Sequence, residues 1–143
     1  MIVKQISVFM ENKPGHLENI LKVLADNDIN VLTVTVADMS NFGILRLIVN
    51  DLEKAKSVFK KANITCSVTD LLAVELSDKP GALCKAIQAF TKHSLNIEYI
   101  YTFGRKSEDN GVMLFRFEDI EAAKKAISAE GYKIIKTIEI YGK

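Results

Sequence analysis

The sequence contains no tryptophan, and it has only two prolines, two cysteines and seven glycines in 143 residues. Collagen-like and low-complexity chains are rich in glycine and proline, so this composition indicates a globular protein. Cys66 and Cys84 lie 18 positions apart, with neither a CxxC pair nor a nearby histidine. That spacing suits neither a disulfide framework nor a zinc site, and it predicts two buried thiols.

The sequence also lacks an excess of positive or negative charge. Lys and Arg number 19 and Asp and Glu 18, for a net charge of +1, so no strong field attracts nucleic acid or an anionic membrane. Polar residues interrupt the first 15 positions where a secretion signal would be apolar, and every apolar run is shorter than the ~20 residues of a membrane helix. We therefore expect a cytoplasmic protein with no nucleic-acid partner and no membrane partner.

Patterns that carry catalysis are absent from the sequence. It has no Ser-His-Asp set, no clustered carboxylate pair, no P-loop, no G-x-G-x-x-G segment and no spacing of metal ligands. The sequence therefore predicts a protein that is not an enzyme and that needs no cofactor and no metal.

What the sequence does contain is an internal repeat. "NKPGHL" at 12–17 returns as "DKPGAL" at 78–83, so both prolines lie in copies of one turn. Further residues match when two extra positions are allowed in one hairpin: Asn30 with Asn96, Gly43 with Gly111, and Asp51 with Asp119. A repeat of about 70 residues exceeds the length of a solenoid unit. It predicts two domains in tandem, 1–70 and 71–143.

The two copies show the same order of periodicities. Alternating apolar residues before each turn predict a strand, and apolar residues at i, i+3, i+4 and i+7 after it predict an amphipathic helix. A hairpin, a second helix capped by Asp51 or Asp119, and a final strand follow. The final strand of the second copy is predicted at "KIIKTIEIY", residues 133–141. The βαββαβ order, present twice, predicts an α+β fold of two ferredoxin-like domains, each an antiparallel sheet with helices on one face.

The third strand of each copy is apolar on both faces. We assign Leu45, Leu47 and Val49, with their counterparts at 113, 115 and 117, to the helix side. The opposite face is largely aliphatic, with Ile48 and Leu114 among its residues, which is unusual for an antiparallel sheet facing water. We therefore expect that face to be covered by packing of the two copies or of two chains, and we predict a homodimer.

The repeated turn has two interpretations. Its prolines suit the first helical position, with the preceding lysine at the cap. Gly15 and Gly81 leave the backbone bare, so that helix-start N–H groups can bind a carboxylate while Asn12 or Asp78 accepts a hydrogen bond from an ammonium group. Those two groups together describe a free amino acid. Alternatively, Asn12 and Asp78 only cap their helices and the glycines only allow close packing.

The segments "ENKPGHLENILKVLADNDINV" and "SDKPGALCKAIQAFTKHSLNI", each between two strands, resemble the ACT domain, a family of ferredoxin-like regulatory modules that bind small amino acids. The resemblance covers about residues 3–76 and 72–143. In the family, ligands lie between two ACT domains, held by the strand-to-helix turn and by a polar residue at the start of the second strand. The resemblance implies these ligand-binding residues: Asn12, Gly15, His16, Leu17 and Asn30, and in the second copy Asp78, Gly81, Ala82, Leu83 and Asn96.

The resemblance implies a non-catalytic sensor that binds an amino acid and acts on an unidentified enzyme or regulator. Some family members carry a polar side chain where this chain has Met10 and Leu76, so the ligand stays open. An RNA-binding module shares the βαββαβ order, but it needs exposed aromatic residues and a basic surface. A ligand-free structural or protein-interaction module is the alternative, because an apolar sheet face and capped helices explain most of the same features.

Overall fold

The computed structural model describes residues 2–105 and 108–141, and the chain divides into two compact units. The first unit is Lys4–Thr69, and the second contains Asp70–Lys143 together with Met1–Val3. The elements of the first repeat are β1 (Val3–Glu11), α1 (His16–Ala25), β2 (Val31–Met39), β3 (Phe42–Val49), α2 (Leu52–Lys61) and the start of β4 (Cys66–Ser77). Those of the second are the rest of β4, α3 (Ala82–Lys92), β5 (Ile97–Arg105), β6 (Asn110–Phe117), α4 (Ile120–Ala129), β7 (Lys133–Ile134) and α5 (Thr137–Tyr141).

The predicted α+β fold, two ferredoxin-like copies of βαββαβ order, is confirmed. Because β4 serves as the last strand of one copy and the first of the next, the chain passes between the copies without a linker. The predicted domain boundary, 1–70 and 71–143, stays a prediction.

In the first unit the strand order is β2-β3-β1, and all pairs are antiparallel. Ile6 of β1 and Val34 of β2 both lie opposite Leu47 of β3. Leu24 of α1 and Phe59 of α2 join one buried cluster with the inward residues of β1 and β3. Both helices therefore cover the same sheet face, and the predicted helix side of the third strand is confirmed.

The second unit repeats this arrangement with strand order β5-β6-β4, and β7 pairs with β4. Its core centres on Phe90 of α3, which is fully buried. The Phe90 ring meets Phe115, Phe117 and Tyr132 edge to face, at centroid distances of 5.7, 6.0 and 5.5 Å. This geometry is favourable for aromatic rings beyond the area that they bury. Leu24 occupies the corresponding place in the first unit.

The predicted strand over 133–141 is wrong for most of its length. Only Lys133 and Ile134 pair with β4, and Ile135 still donates its N–H to Ala73 O at 2.8 Å. The chain then forms α5, in which Ile140 is buried and Glu139 is exposed. The apolar alternation is compatible with a strand, but burial of Ile140 against the unit favours a helical turn, and tertiary packing overrides the local pattern.

The predicted position of the prolines is also wrong. The helices begin at His16 and Ala82, two residues after the prolines, and their N-caps are Gly15 at φ +90° and Gly81 at φ +83°. Each K-P-G-x segment is a type II turn, in which proline occupies the second position and glycine supplies the positive φ of the third. The turn closes through a hydrogen bond from the fourth residue's N–H to the lysine carbonyl, at 3.4 Å in the first copy and 3.1 Å in the second.

Substituting either turn glycine tests this conformation. Gly15→Ala and Gly81→Ala are each expected to lower the free energy of unfolding by about 1–2 kcal/mol, the cost of the left-handed region for an L-residue. An added Cβ meets no atom of the described residues within 4 Å at either position, so the cost is conformational rather than steric. Urea unfolding measures it. Gly81→Asn is the matched control, since asparagine tolerates positive φ and should cost less; an equal loss would contradict the assignment.

Neither cysteine is fully buried, so the prediction of two buried thiols is wrong. Cys66 is partly buried, and this burial raises the pKa of its thiol, whereas Cys84 is exposed. Cys84 lies in the first turn of α3, on the side away from the helix residues that enter the core.

Candidate functional site

The two helix starts leave backbone donors available. Within residues 2–105 and 108–141, the N–H groups of His16 and Ala82 are taken by the turn, but no acceptor lies within hydrogen-bonding distance of the N–H groups of Leu17 or Leu83. The first backbone bonds of the helices come later, for example from Asn19 N–H to Gly15 O at 2.9 Å. No side chain caps either helix. Gly15 and Gly81 occupy the N-cap positions, so Asn12 and Asp78 lie outside them, three residues earlier.

A pocket of about 540 Å³ lies beside the second turn. Asp78 and Lys79 of the turn and Leu83 of α3 form one side, and Leu76 of β4, Thr102 of β5 and Met113 of β6 form the other. Gly104 and Gly111 also line it, which leaves space that side chains would fill. Its volume falls in the range of small-ligand pockets, about 300–1,000 Å³. Two of the predicted site residues of the second copy therefore line this cavity: Asp78 and Leu83.

The charges of the two turns differ. In the first turn, Lys13 Nζ binds Glu11 at 2.8 Å, and this ammonium group holds the pKa of the Glu11 carboxyl below its usual value. In the second turn Ser77 stands in place of Glu11, and Lys79 has no ion-pair partner among the residues that the structure describes. Asp78 and Lys79 thus bring a carboxylate and an ammonium group to one pocket.

Asn12 and His16 take structural roles at the first turn. The Asn12 N–H donates to Asn41 O at 2.9 Å, and its side-chain Nδ2 donates to Ser40 O at 3.3 Å, so it ties the turn to the β2–β3 hairpin. Nδ1 of His16 accepts a hydrogen bond from Glu11 N–H at 3.2 Å. His16 also lines a cleft of about 360 Å³ with Asn19 and Asn63, between the start of α1 and the segment after α2.

Asn30 and Asn96 lie far from the turns of their own units. β2 runs parallel to β1, so Asn30 lies at the opposite end of the sheet from Gly15, and Asn96 relates to Gly81 in the same way. The eight or so residues between the two ends span roughly 27 Å. The Asn30 N–H donates to Asn50 Oδ1 at 3.0 Å, and Asn96 Nδ2 donates to Glu118 Oε2 at 3.2 Å. Within a unit, neither asparagine joins the other predicted site residues.

Several pocket residues were not predicted as site residues, namely Leu76, Ser77, Lys79, Thr102, Gly104, Gly111 and Met113. The sequence contained a signal for one of them, Gly111, which matches Gly43 in the repeat. A glycine within a strand often marks a close approach of backbone or ligand. Thr102 and Met113 gave no such signal, since only the β5–β6 pairing brings them to the turn.

Two further features bear on the kind of site. No group of three or more His, Cys, Asp or Glu side chains in the described part of the chain has the arrangement of a metal site. None of the helices described in residues 2–105 and 108–141 is long and apolar enough to cross a membrane.

The fold and the turn together define a class: a duplicated ferredoxin-like domain whose glycine-bearing strand-to-helix turn adjoins a small-molecule-sized pocket. The model of the family described as "ACT domain pair" matches residues 1–141. The chain therefore belongs to the ACT domain pair family, a family of regulatory domains, and the resemblance seen in the sequence is confirmed.

Solved structures agree with this assignment. Protein BT0572 from Bacteroides thetaiotaomicron is 29% identical with a TM-score of 0.90, over 99% of this chain and 96% of that one. The ligand-free regulatory subunit of aspartate kinase from Thermus thermophilus is 19% identical with a TM-score of 0.62, over 90% and 94%. E. coli aspartokinase III in complex with lysine and aspartate is 18% identical with a TM-score of 0.51, over 90% and 31%. None of the curated proteins that were compared matches the sequence significantly.

Proposed function

We propose that this protein is a non-catalytic regulatory protein that binds a free amino acid at a strand-to-helix turn and signals its presence to a partner. The observation that carries the proposal is the pocket beside the second turn, where a carboxylate, an ammonium group and a free backbone donor adjoin an apolar wall. Membership of a regulatory domain family supports it. So does the aspartokinase III structure, a fold relative whose described ligands are the amino acids lysine and aspartate.

The proposed roles follow from the chemistry of a zwitterion. Asp78 accepts hydrogen bonds from the ligand's ammonium group, because a charged donor and acceptor form the stronger kind of hydrogen bond. The N–H of Leu83, at the positive end of the α3 dipole, donates to the ligand's carboxylate, and Lys79 adds a second positive group beside it. Gly81 keeps the backbone open to the ligand. In the first copy, Asn12, Gly15 and Leu17 occupy the equivalent positions.

The proposal assigns Asn30 and Asn96 to the site only in a dimer. Each lies at the far end of its own sheet, so another ACT domain would have to supply it to the turn, and the proposal takes that domain from a second chain. A homodimer with ligand between chains is consistent with this placement and remains a prediction, as does a cytoplasmic location. Binding would then favour one packing of the domains over another by the ligand's difference in affinity for the two, which is the signal passed to a partner enzyme or regulator.

A ligand-free interaction module is the second candidate. The observation that favours it is an exposed aromatic pair on the sheet face away from the helices: Phe9 is 63% and Phe42 45% exposed, and their rings stack at 5.4 Å. Exposed apolar surface of this kind marks contact sites in many proteins.

Thermal unfolding of the purified chain with each of the twenty amino acids separates the two candidates. A ligand present at about 100 times its Kd adds roughly 2.7 kcal/mol to the stability of the folded state, which raises Tm by several degrees. We expect such a shift with one amino acid or one chemically related group. If none of the twenty changes Tm at millimolar concentration, the sensor proposal is wrong and the interaction module takes its place.

A further inference from the structure

The two repeats share the same turn motif and the same order of elements, but the space beside their turns differs. Gly43 and Gly111 match in the repeat, and both lie on the helix side of the third strand, opposite Met10 and Leu76 respectively. A Cβ atom at position 43 would lie 3.2 Å from the backbone oxygen of Ala37, 3.6 Å from Val36 Cγ1 and 3.8 Å from Met10 Cε. Among the residues that the structure describes, a Cβ at position 111 would meet the Gly104 carbonyl oxygen at 3.7 Å and no side chain within 4 Å. In the described part of the chain, two side chains therefore reach the space over Gly43 and none reaches the space over Gly111.

Two substitutions between the repeats account for this difference. The counterpart of Met10 is Leu76, whose side chain is shorter, and the counterpart of Val36 is Thr102. In β5, the register with β6 shifts between Thr102 and Gly104, so this bulged strand differs from β2 at the same point. A bulge redirects the side chains of its strand. The pocket beside the second turn lies where these differences occur. Its lining includes Leu76, Thr102, Gly104 and Gly111.

The wall of the pocket indicates which side chain fits. Its polar groups are consecutive in sequence, from Ser77 to Lys79, and so lie together at the turn. The rest of the wall includes the apolar side chains of Leu76, Leu83 and Met113, together with Thr102. Leu83 is 39% exposed, which is high for a leucine, and an apolar group in the pocket would cover it.

We propose that the chain binds one amino acid per copy of the polypeptide, in the second repeat only, and that the ligand carries an aliphatic side chain. This inference rests on the proposed function and names its copy and its ligand class. Leu76 and Thr102 keep the second pocket open, Met113 and Leu83 contact the ligand's side chain, and Met10 and Val36 close the first pocket.

The first test is the ligand series. Leucine, asparagine and aspartate have side chains of similar size and branching, so calorimetric titration with each isolates polarity. Leucine is expected to bind at least about tenfold more tightly than the other two, because an apolar wall leaves a polar side chain without partners. One ligand per chain is the expected stoichiometry. Two equal sites per chain, or tighter binding of asparagine or aspartate than of leucine, would overturn the inference and leave the proposed function standing.

The second test exchanges the pocket residues between the repeats. Leu76→Met with Thr102→Val copies the closed wall of the first repeat into the second, and is expected to weaken leucine binding by about tenfold or more. Met10→Leu with Val36→Thr is the matched control in the first repeat, and should change that affinity by less than about twofold, because neither residue lines the pocket. If the double variant unfolds, leucine binding is measured instead on Thr102→Val alone, a nearly isosteric change.

The outcomes of these tests are distinct. Equal losses in the two exchange variants, or no loss in the Leu76 and Thr102 variants with their Tm unchanged, would assign binding elsewhere and refute the inference. Absence of heat and of a Tm shift with all twenty amino acids would instead refute the proposed function itself, and the inference with it.

Discussion

Phe90→Ala is expected to lower the free energy of unfolding by about 3–5 kcal/mol, the usual range for truncating a buried aromatic side chain. Phe90 is fully buried, and its ring contacts three other aromatic rings at centroid distances of 5.5 to 6.0 Å. Truncation removes the transfer free energy of the ring, its edge-to-face contacts and the packing of the space that it fills. Urea unfolding followed by circular dichroism measures the loss as a shift of the midpoint.

Phe42→Ala is the matched control for this prediction. The chemical change is the same, but Phe42 is 45% exposed and its ring stacks on that of Phe9. The control is expected to cost clearly less than Phe90→Ala, because much of its surface stays in water and its aromatic pair adds only about 0.5–1.5 kcal/mol. Similar losses in the two variants would show that Phe90 is not the centre of the second core. A chain with more than one domain can depart from two-state unfolding, so the comparison uses the first transition that each variant shows.

Asp78→Ala is expected to weaken binding of the amino acid identified by the thermal screen by about ten- to a hundredfold. A hydrogen bond to a charged group contributes about 1.5–3 kcal/mol, and each 1.4 kcal/mol is a factor of ten in affinity. Asp78→Asn keeps an oxygen acceptor and loses the charge, so it should retain more affinity than Asp78→Ala. Calorimetric titration of the three proteins under identical salt conditions gives the order.

The control is Asp26→Ala, another exposed aspartate, which pairs with Lys22 at the C-terminal end of α1 and does not line the pocket. Such surface pairs contribute about 0–1 kcal/mol to stability, and the ligand affinity should be unchanged. If Asp78→Ala folds and binds the amino acid as tightly as the parent chain does, the ammonium group is held elsewhere and the assigned role of Asp78 is wrong.

The parts of the fold that were predicted correctly depend on local patterns present twice. Alternation before each turn and the 3.6-residue period after it gave the strands and helices, and the helix side of β3 and β6 followed from the same alternation. The error at α5 arose where the pattern was compatible with two structures. In the structure Ile140 is buried as part of α5, so contacts with the rest of the unit decided between a strand and a helix.

The turn shows which structural features the residue types of a motif can predict. Both prolines, both glycines and the lysines before them were visible as a motif, and the motif led to bare N–H groups at the helix start. Proline followed by glycine is also the usual signature of a type II turn. That turn moves each helix start to His16 or Ala82 and uses one of the donors that the sequence had offered to a ligand.

The sequence by itself determined the duplication, the βαββαβ order and the faces of the elements, because periodicity and turn residues act over a few neighbouring positions. Only the tertiary structure decided where a ligand can fit. Thr102, Gly111 and Met113 are distant from Asp78 along the chain and reach it through antiparallel pairing, and the same pairing carries Asn30 and Asn96 away from the turns. Whether space remains there depends on the length of single side chains such as Met10 and Leu76, which residue types alone do not reveal.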